Sequence, residues 1–293
     1  MTQIAFIGLG NMGGPMAANL AAAGHQVAGF DLVPFLCEAA ATLGVKIATS
    51  AMAAVQGAEV VITMLPAGAH VVALYQQVLP AAAPGTLFID CSTIDVESAR
   101  KAHALAGAAW MASVDAPVSG GTAGAKAATL TFMCGGTASG IEAARPLLEK
   151  MGRKIVACGG GGDGQAAKIC NNMILGATMI ATAEAFVLGE KLGLSHQALF
   201  DVASTSSGQS WSLTAYCPVP GPVPASPANN GYKPGFAAAL MLKDLKLSQE
   251  AATAHGAVTP MGALAAQLYA RFNAEGHAGV DFSGIVAMLR GEG

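Results

Sequence analysis

Charge is scarce in this chain: only 11% of its 293 residues are Asp, Glu, Lys or Arg, and aromatic residues supply 5%. The formal net charge of −3 leaves no basic patch, so nucleic acid is not an expected partner. Six cysteines (Cys37, Cys91, Cys134, Cys158, Cys170, Cys217) are scattered without a CxxC pair or ligand-like histidine spacing. No metal site is expected, and the thiols read as reduced, small hydrophobes of a cytoplasmic protein. Long uninterrupted apolar runs are also missing. The uncharged stretch Val60 to Ile89 is broken by Pro66, Gly68, His70, Pro80, Pro84 and Gly85, and the run Met173 to Ala183 ends at Glu184. Neither predicts a membrane span. The opening Met-Thr-Gln-Ile-Ala-Phe lacks a basic n-region and passes directly into a strand, so no signal peptide is expected. An apolar share of 53% with so little charge predicts large buried areas, some of them between subunits.

The N-terminal half reads as alternating strands and helices. Ile4 to Ile7 is a short apolar run ending in Gly8-Leu9-Gly10-Asn11-Met12-Gly13, a G-x-G-x-x-G turn. A helical pattern from Pro15 stops at Gly24, and a second strand, Gln26 to Phe30, ends in Asp31. Strand, glycine turn, helix, strand and acid in this order form the dinucleotide-binding pattern. Gly8 permits the tight turn, Gly10 lets backbone approach a pyrophosphate, and Gly13 lets helix and strand pack closely. Asn11 and Met12 sit in the turn, where helix N-terminal amides and the helix dipole favour phosphate. Asp31 is placed to accept both ribose hydroxyls and repel a 2′-phosphate. With no arginine in Leu32 to Glu38, NAD is favoured over NADP.

Further strands are expected at Glu59 to Pro66, Thr86 to Thr93 and Met111 to Ala116, with a hairpin-like segment at Thr129 to Cys134. Ligands of open parallel sheets gather beyond the carboxyl ends of strands, which places Leu65, Pro66, Thr93 and Ser119 on the cofactor-facing rim. His70, one turn into the helix after Pro66, reads either as a helix-face residue near the nicotinamide ribose or as structural. Ser119-Gly120-Gly121 offers a hydroxyl and free amides, either a nest for a carboxylate or a loop turning back into the next strand.

Beyond the glycine cluster Gly159 to Gly164, strand signals stop. One long helix is expected over 164–193, then helices over 195–204 (Ser195 as N-cap), 236–255, 261–275 and 281–289. The prolines Pro218, Pro220, Pro222, Pro224, Pro227 and Pro234 mark a stiff excursion that reads as functional or as a partner surface. The fold expected is an α/β Rossmann N-terminal domain (1–163) and an all-α C-terminal domain (164–293) joined by a long interdomain helix. Lys168 and Asn172, four positions apart, share one face of that helix among apolar neighbours. A buried ammonium is costly unless paired, and burial lowers its pKa towards acid/base chemistry. A snorkelling lysine beside a helix-capping amide is the structural alternative.

Four segments together resemble the β-hydroxyacid dehydrogenase family, in particular its 3-hydroxyisobutyrate branch: Phe6 to Gly13 with Pro15-Met16; Asp115-Ala116-Pro117-Val118-Ser119-Gly120-Gly121; Gly164 to Asn172; and Lys243-Asp244-Leu245. Met64 to Gly68 and Gly208-Gln209-Ser210-Trp211 also look like that group. The resemblance implies that Lys168 is the catalytic acid/base, that Asn172 holds the substrate, that Ser119, Gly120 and Gly121 grip its carboxylate, and that Lys243 lies at the cofactor. It implies a homodimer or homotetramer that oxidises a small 3-hydroxy acid with NAD, foremost 3-hydroxyisobutyrate to methylmalonate semialdehyde in valine degradation. L-serine oxidation or tartronate semialdehyde reduction is the near alternative, and a non-catalytic NAD-binding sensor the distant one. One departure is Ala128, where the family commonly has glycine.

Overall fold

The computed structural model describes residues 1–291. Its backbone divides into two compact units, Met1–Lys168 and the chain from Ile169 onward, with the division inside one continuous helix. The elements of the first unit alternate. Strands are β1 (Gln3–Ile7), β2 (Gln26–Phe30), β3 (Lys46–Ile47), β4 (Val60–Thr63), β5 (Leu87–Asp90), β6 (Ser113–Asp115), β7 (Val118–Ser119), β8 (Leu130–Gly136) and β9 (Gly152–Gly159). Helices between them are α1 (Gly13–Ala22), α2 (Pro34–Ala41), α3 (Ala51–Val55), α4 (Gly68–Val78), α5 (Val96–Ala108), α6 (Gly121–Ala127) and α7 (Ala138–Leu148).

These strands form one sheet in the order β3-β2-β1-β4-β5-β6-β8-β7, with β9 on β8. Pairing is parallel from β3 through β6, and β8 runs antiparallel to β6 and β7 but parallel to β9. The 3-2-1-4-5-6 portion is the doubly wound order, with its crossover reversing between β1 and β4. Alternate residues of β1 feed opposite faces. Ile4 and Phe6 join one core with Leu20, Ile62 and Phe132, while Ala5 and Ile7 join another with Val61, Tyr75 and Phe88. Each large apolar side chain buried this way contributes about 1.5–3 kcal/mol. Cover on both faces is why the strands read as continuous apolar runs.

This unit differs from the sequence expectation in several places. Strands β3 and β9 fall where no strand is expected, and Gly121 onward, expected as loop, opens α6. The hairpin-like expectation is met in altered form, since β7 and β8 pair antiparallel with α6 as their connection.

α8 (Asp163–Lys191) is 29 residues long. It is long and apolar enough to cross a membrane by length and composition, although only 39% of its most apolar window is buried within the protein. Its buried side chains include Met179, Ile180, Ala183 and Phe186, which lie in two apolar clusters of the second unit; a core helix meets the same criterion. The second unit continues with α9 (His196–Ala203), α10 (Trp211–Thr214), α11 (Ala238–Ala254), α12 (Pro260–Phe272) and α13 (Ile285–Arg290). Ser195 caps α9 as expected, its hydroxyl accepting from the Ala198 amide. The 281–289 segment is a short 3-10 turn, Phe282–Gly284, followed by α13.

The proline-rich excursion is tied down. Ser226 donates to the Cys217 carbonyl (2.6 Å) and the Tyr232 hydroxyl to that of Pro218 (2.8 Å). Asp281 is buried and accepts from the Tyr216 hydroxyl, the amides of Gly235, Phe236 and Ser283, and the Ser283 hydroxyl.

Candidate active site

The glycine turn between β1 and α1 is built as the pattern requires. Gly8 has φ +96, and a Cβ there would strike the Met64 carbonyl. A Cβ on Gly13 would strike the Gly8 carbonyl, so helix and strand pack closer than any side chain permits. A Cβ on Gly10 would meet nothing within 4 Å, so the protein's own packing does not demand glycine there. Open space beside Gly10 and a first helical turn without a side-chain cap at Met12 suit a phosphate. Asn11 is exposed in the same turn. Asp31 follows β2, and its carboxylate accepts from the amides of Leu9 (2.7 Å) and Val33 (2.9 Å). Those bonds fix its orientation while each oxygen keeps a lone pair for a ribose hydroxyl.

Leu65 and Pro66 follow β4, and Thr93 follows β5. The structure brings these two rim segments together through Ser92. Its hydroxyl accepts from the Leu65 amide (2.7 Å) and donates to Asp90 Oδ1 (2.5 Å), which also accepts from the Thr63 hydroxyl (2.6 Å). Asp90 Oδ2 is buried without a hydrogen-bond partner. Burial pushes the Asp90 carboxyl up from its ordinary value, and the bonds from Ser92 and Thr63 oppose that rise. His70 lies exposed in the first turn of α4. Ser119 ends β7, its place set by pairing with Thr131 of β8, and Gly120 (φ +134) and Gly121 (φ +61) lead into α6. An Asn19 amide on α1 donates to the Ala125 carbonyl (2.8 Å), fastening α6 to the helix of the glycine turn.

Lys168 is 6% exposed, near the start of α8. The helix start is locked to the sheet. Asp115, at the end of β6, accepts from the amides of Gly162 (2.8 Å) and Gln165 (2.9 Å), and its Oδ1 also pairs with His103 Nε2 (2.8 Å). His103 Nδ1 pairs in turn with the Ser113 hydroxyl. A Cβ on Gly164 would strike the Met133 carbonyl, so the helix could not seat there with any other residue.

Asn172, one turn beyond Lys168 on the same helix, is buried in the second unit. Its Nδ2 donates to Asp244 Oδ2 (2.5 Å) and its Oδ1 accepts from Asn171 Nδ2 (3.0 Å). Asp244 thus orients the carboxamide, and Lys243 precedes it, half-buried on α11. Sequence reasoning did not assign roles to Asp115, Gln165, His103 or Asp244. Asp244 offered a signal, an acid among leucines in a helix; Asp115 and Gln165 bond across 47 to 73 residues, His103 pairs across 10 and 12, and none of the three offered one.

Two family models cover nearly the whole chain. The NAD binding domain of 6-phosphogluconate dehydrogenase matches residues 3–160, and the NAD-binding domain of NADP-dependent 3-hydroxyisobutyrate dehydrogenase matches 162–289. A probable 3-hydroxyisobutyrate dehydrogenase of Mycobacterium tuberculosis is 58% identical over 99% of this chain and 98% of its own. This chain belongs to the β-hydroxyacid dehydrogenase family, on its 3-hydroxyisobutyrate dehydrogenase branch. Another relative in that family, an NAD-dependent L-serine dehydrogenase of Pseudomonas aeruginosa, is 52% identical over 97% of this chain and 96% of its own. A solved structure of Mycobacterium tuberculosis 3-hydroxyisobutyrate dehydrogenase with L-serine superposes with a TM-score of 0.97 at 57% identity, covering 99% of both chains.

Proposed function

We propose that this dehydrogenase oxidises a small 3-hydroxy acid to its semialdehyde, with 3-hydroxyisobutyrate and methylmalonate semialdehyde as the leading pair. The observation that carries the reading is Lys168, a buried amine on a helix start pinned by Asp115 beside the rim at which the cofactor-binding strands end. NAD is the cofactor, and the open Gly10 turn and the oriented Asp31 carboxylate fit it. Gly8, Gly10, Asn11, Met12 and Gly13 would hold its pyrophosphate and Asp31 its adenosine ribose, with Leu65, Pro66, His70, Thr93 and Lys243 as further contacts. Bound NAD supplies the hydride acceptor.

The chain's own residues bind, orient and move a proton. The Ser119 hydroxyl and the amides of Gly120 and Gly121 take the substrate carboxylate. Asn172, its carboxamide held by Asp244 and Asn171, binds the reacting hydroxyl. In the forward direction neutral Lys168 accepts the hydroxyl proton at Nζ as the adjacent C–H bond releases hydride. In reverse its ammonium polarises the carbonyl and returns that proton. Such a transfer contributes about 10² to 10⁴ in rate. Oxidation therefore quickens as pH rises and Lys168 loses its proton.

A second reading, L-serine oxidation, is favoured by the 52% identical L-serine dehydrogenase and by the related structure holding L-serine. Tartronate semialdehyde reduction belongs to the same chemistry. NADH production from 3-hydroxyisobutyrate, L-serine, 3-hydroxypropionate and glycerate ranks these substrates. A blank panel with tight NAD binding would overturn the enzymatic reading in favour of a sensor. Exposed Ile174, Leu240, Met261 and Leu264 in the second unit support self-association as a homodimer or homotetramer. The six free thiols support a reducing, cytoplasmic setting, and the leading substrate places the reaction in valine degradation.

A further inference from the structure

Gln165 lies three residues before Lys168 on α8 and is completely buried. Both ends of its side-chain amide are used on one short backbone segment. Oε1 accepts from the Ile94 amide (3.1 Å), and Nε2 donates to the Ser92 carbonyl (2.7 Å). Those two bonds bracket Thr93. Ser92 extends the connection through its hydroxyl to the Leu65 amide. One side chain thus ties the helical turn bearing Lys168 to both rim segments proposed to contact the cofactor. Filling the space would take only a methionine or leucine. Satisfying a carbonyl and an amide flanking one residue takes a planar group with a donor and an acceptor fixed side by side.

We propose that Gln165 is a positioning residue of the reaction: its amide sets the separation between the Lys168 amine and the rim at Thr93. The proposal rests on Lys168 as the acid/base. A misplacement of about 1 Å at a reacting group costs on the order of 10² in rate, which is the size of effect expected when the clamp is lost. Glutamate at this position supplies a sharper probe than truncation. Protonated, it donates to Ser92 and accepts from Ile94 as glutamine does. Ionised, it sets an oxygen anion against the Ser92 carbonyl. Burial raises its pKa, so the protonated form persists at low pH and is lost as pH rises.

The test compares Gln165→Met, Gln165→Glu and Lys168→Ala with the unaltered enzyme, all saturated with NAD, across pH 6 to 9. Melting temperature and NADH affinity are measured in the same samples. Gln165→Met is expected to lower kcat by about 10²-fold with the hydroxy-acid KM changed less than about threefold. Gln165→Glu is expected to come closest to the unaltered enzyme at low pH and to fall progressively behind it as pH rises, so that the alkaline rise of the unaltered enzyme is blunted or lost. Should both Gln165 variants keep the normal kcat and pH profile, or lose activity only in step with loss of fold, the positioning role is overturned. Lys168→Ala is the separate control: an active Lys168→Ala sinks the acid/base reading, whereas an inactive one beside normal Gln165 variants sinks the positioning role alone.

Discussion

Ala128 closes α6 with φ 54 and ψ 41, a left-handed conformation in which a Cβ crowds the following carbonyl. Glycine at this place carries no such strain, which is the physical content of the one departure from the family pattern noted in the sequence. Ala128→Gly should raise unfolding free energy by about 0.5–1 kcal/mol, after allowing for glycine's freer unfolded chain. Urea denaturation at neutral pH measures it, and a loss of stability would mean that the Ala128 methyl packs well enough to outweigh the strain. Asp90 makes a second prediction at this scale. Its folded-state pKa is raised, chiefly by burial, so above the ordinary carboxylate value the unfolded chain ionises first and binds fewer protons. Stability therefore falls as pH rises from that value through the raised one. Asp90→Asn removes this part of the pH-stability curve, and unchanged denaturation profiles for the two proteins would contradict the assignment. Lys168 and Asn172 were legible in the sequence because helical spacing places them on one face. Gln165 was not, because its partners Ser92 and Ile94 lie 73 and 71 residues away and nothing local marks a glutamine as a long-range clamp.

Among the elements, α1 shows the tightest link between residue type and function. Its approach to β1 is set by Gly13, whose added methyl would meet backbone rather than a side chain that could swing aside. Gly13→Ala should push the helix outward, displace the amides proposed to hold the pyrophosphate and weaken NADH binding by at least about tenfold, equivalent to about 1.4 kcal/mol. Fluorescence titration checks this; an unchanged affinity would show that the turn tolerates the shift. The glycine turn, β1, α1 and β2 were readable because their signals are local: apolar runs, a glycine spacing and an acid at a strand end. β9 was missed although Lys154-Ile155-Val156-Ala157 is apolar enough for a strand. It is an outer strand with partners on one side only, and several of its residues stay exposed, so the run is short and mixed. Ser119 to Ala125 was read as loop because glycine and alanine dominate it; antiparallel pairing of β7 with β8, which no local pattern encodes, fixes both ends of the helix Gly121–Ala127 found there.

For the molecule as a whole, the alternation of strands and helices followed by helices alone was visible from the order of patterns, and matches to two family models over residues 3–160 and 162–289 agree with it. What the pattern could not show is how the chain fastens the start of α8. There Asp115 and Gln165 engage four groups on two segments far apart in sequence, the start of α8 and residues 92–94, and Lys168 inherits its place from them. The account stands on that amine moving the substrate proton. The most direct measurement is single-turnover hydride transfer by Lys168→Ala with NAD bound, against 3-hydroxyisobutyrate and L-serine, with NAD affinity determined on the same sample. The expected result is NAD affinity within about threefold of normal and transfer slowed by about 10² to 10⁴, with the rise in rate towards alkaline pH abolished. Transfer at near-normal rate, with the rise intact, would contradict it.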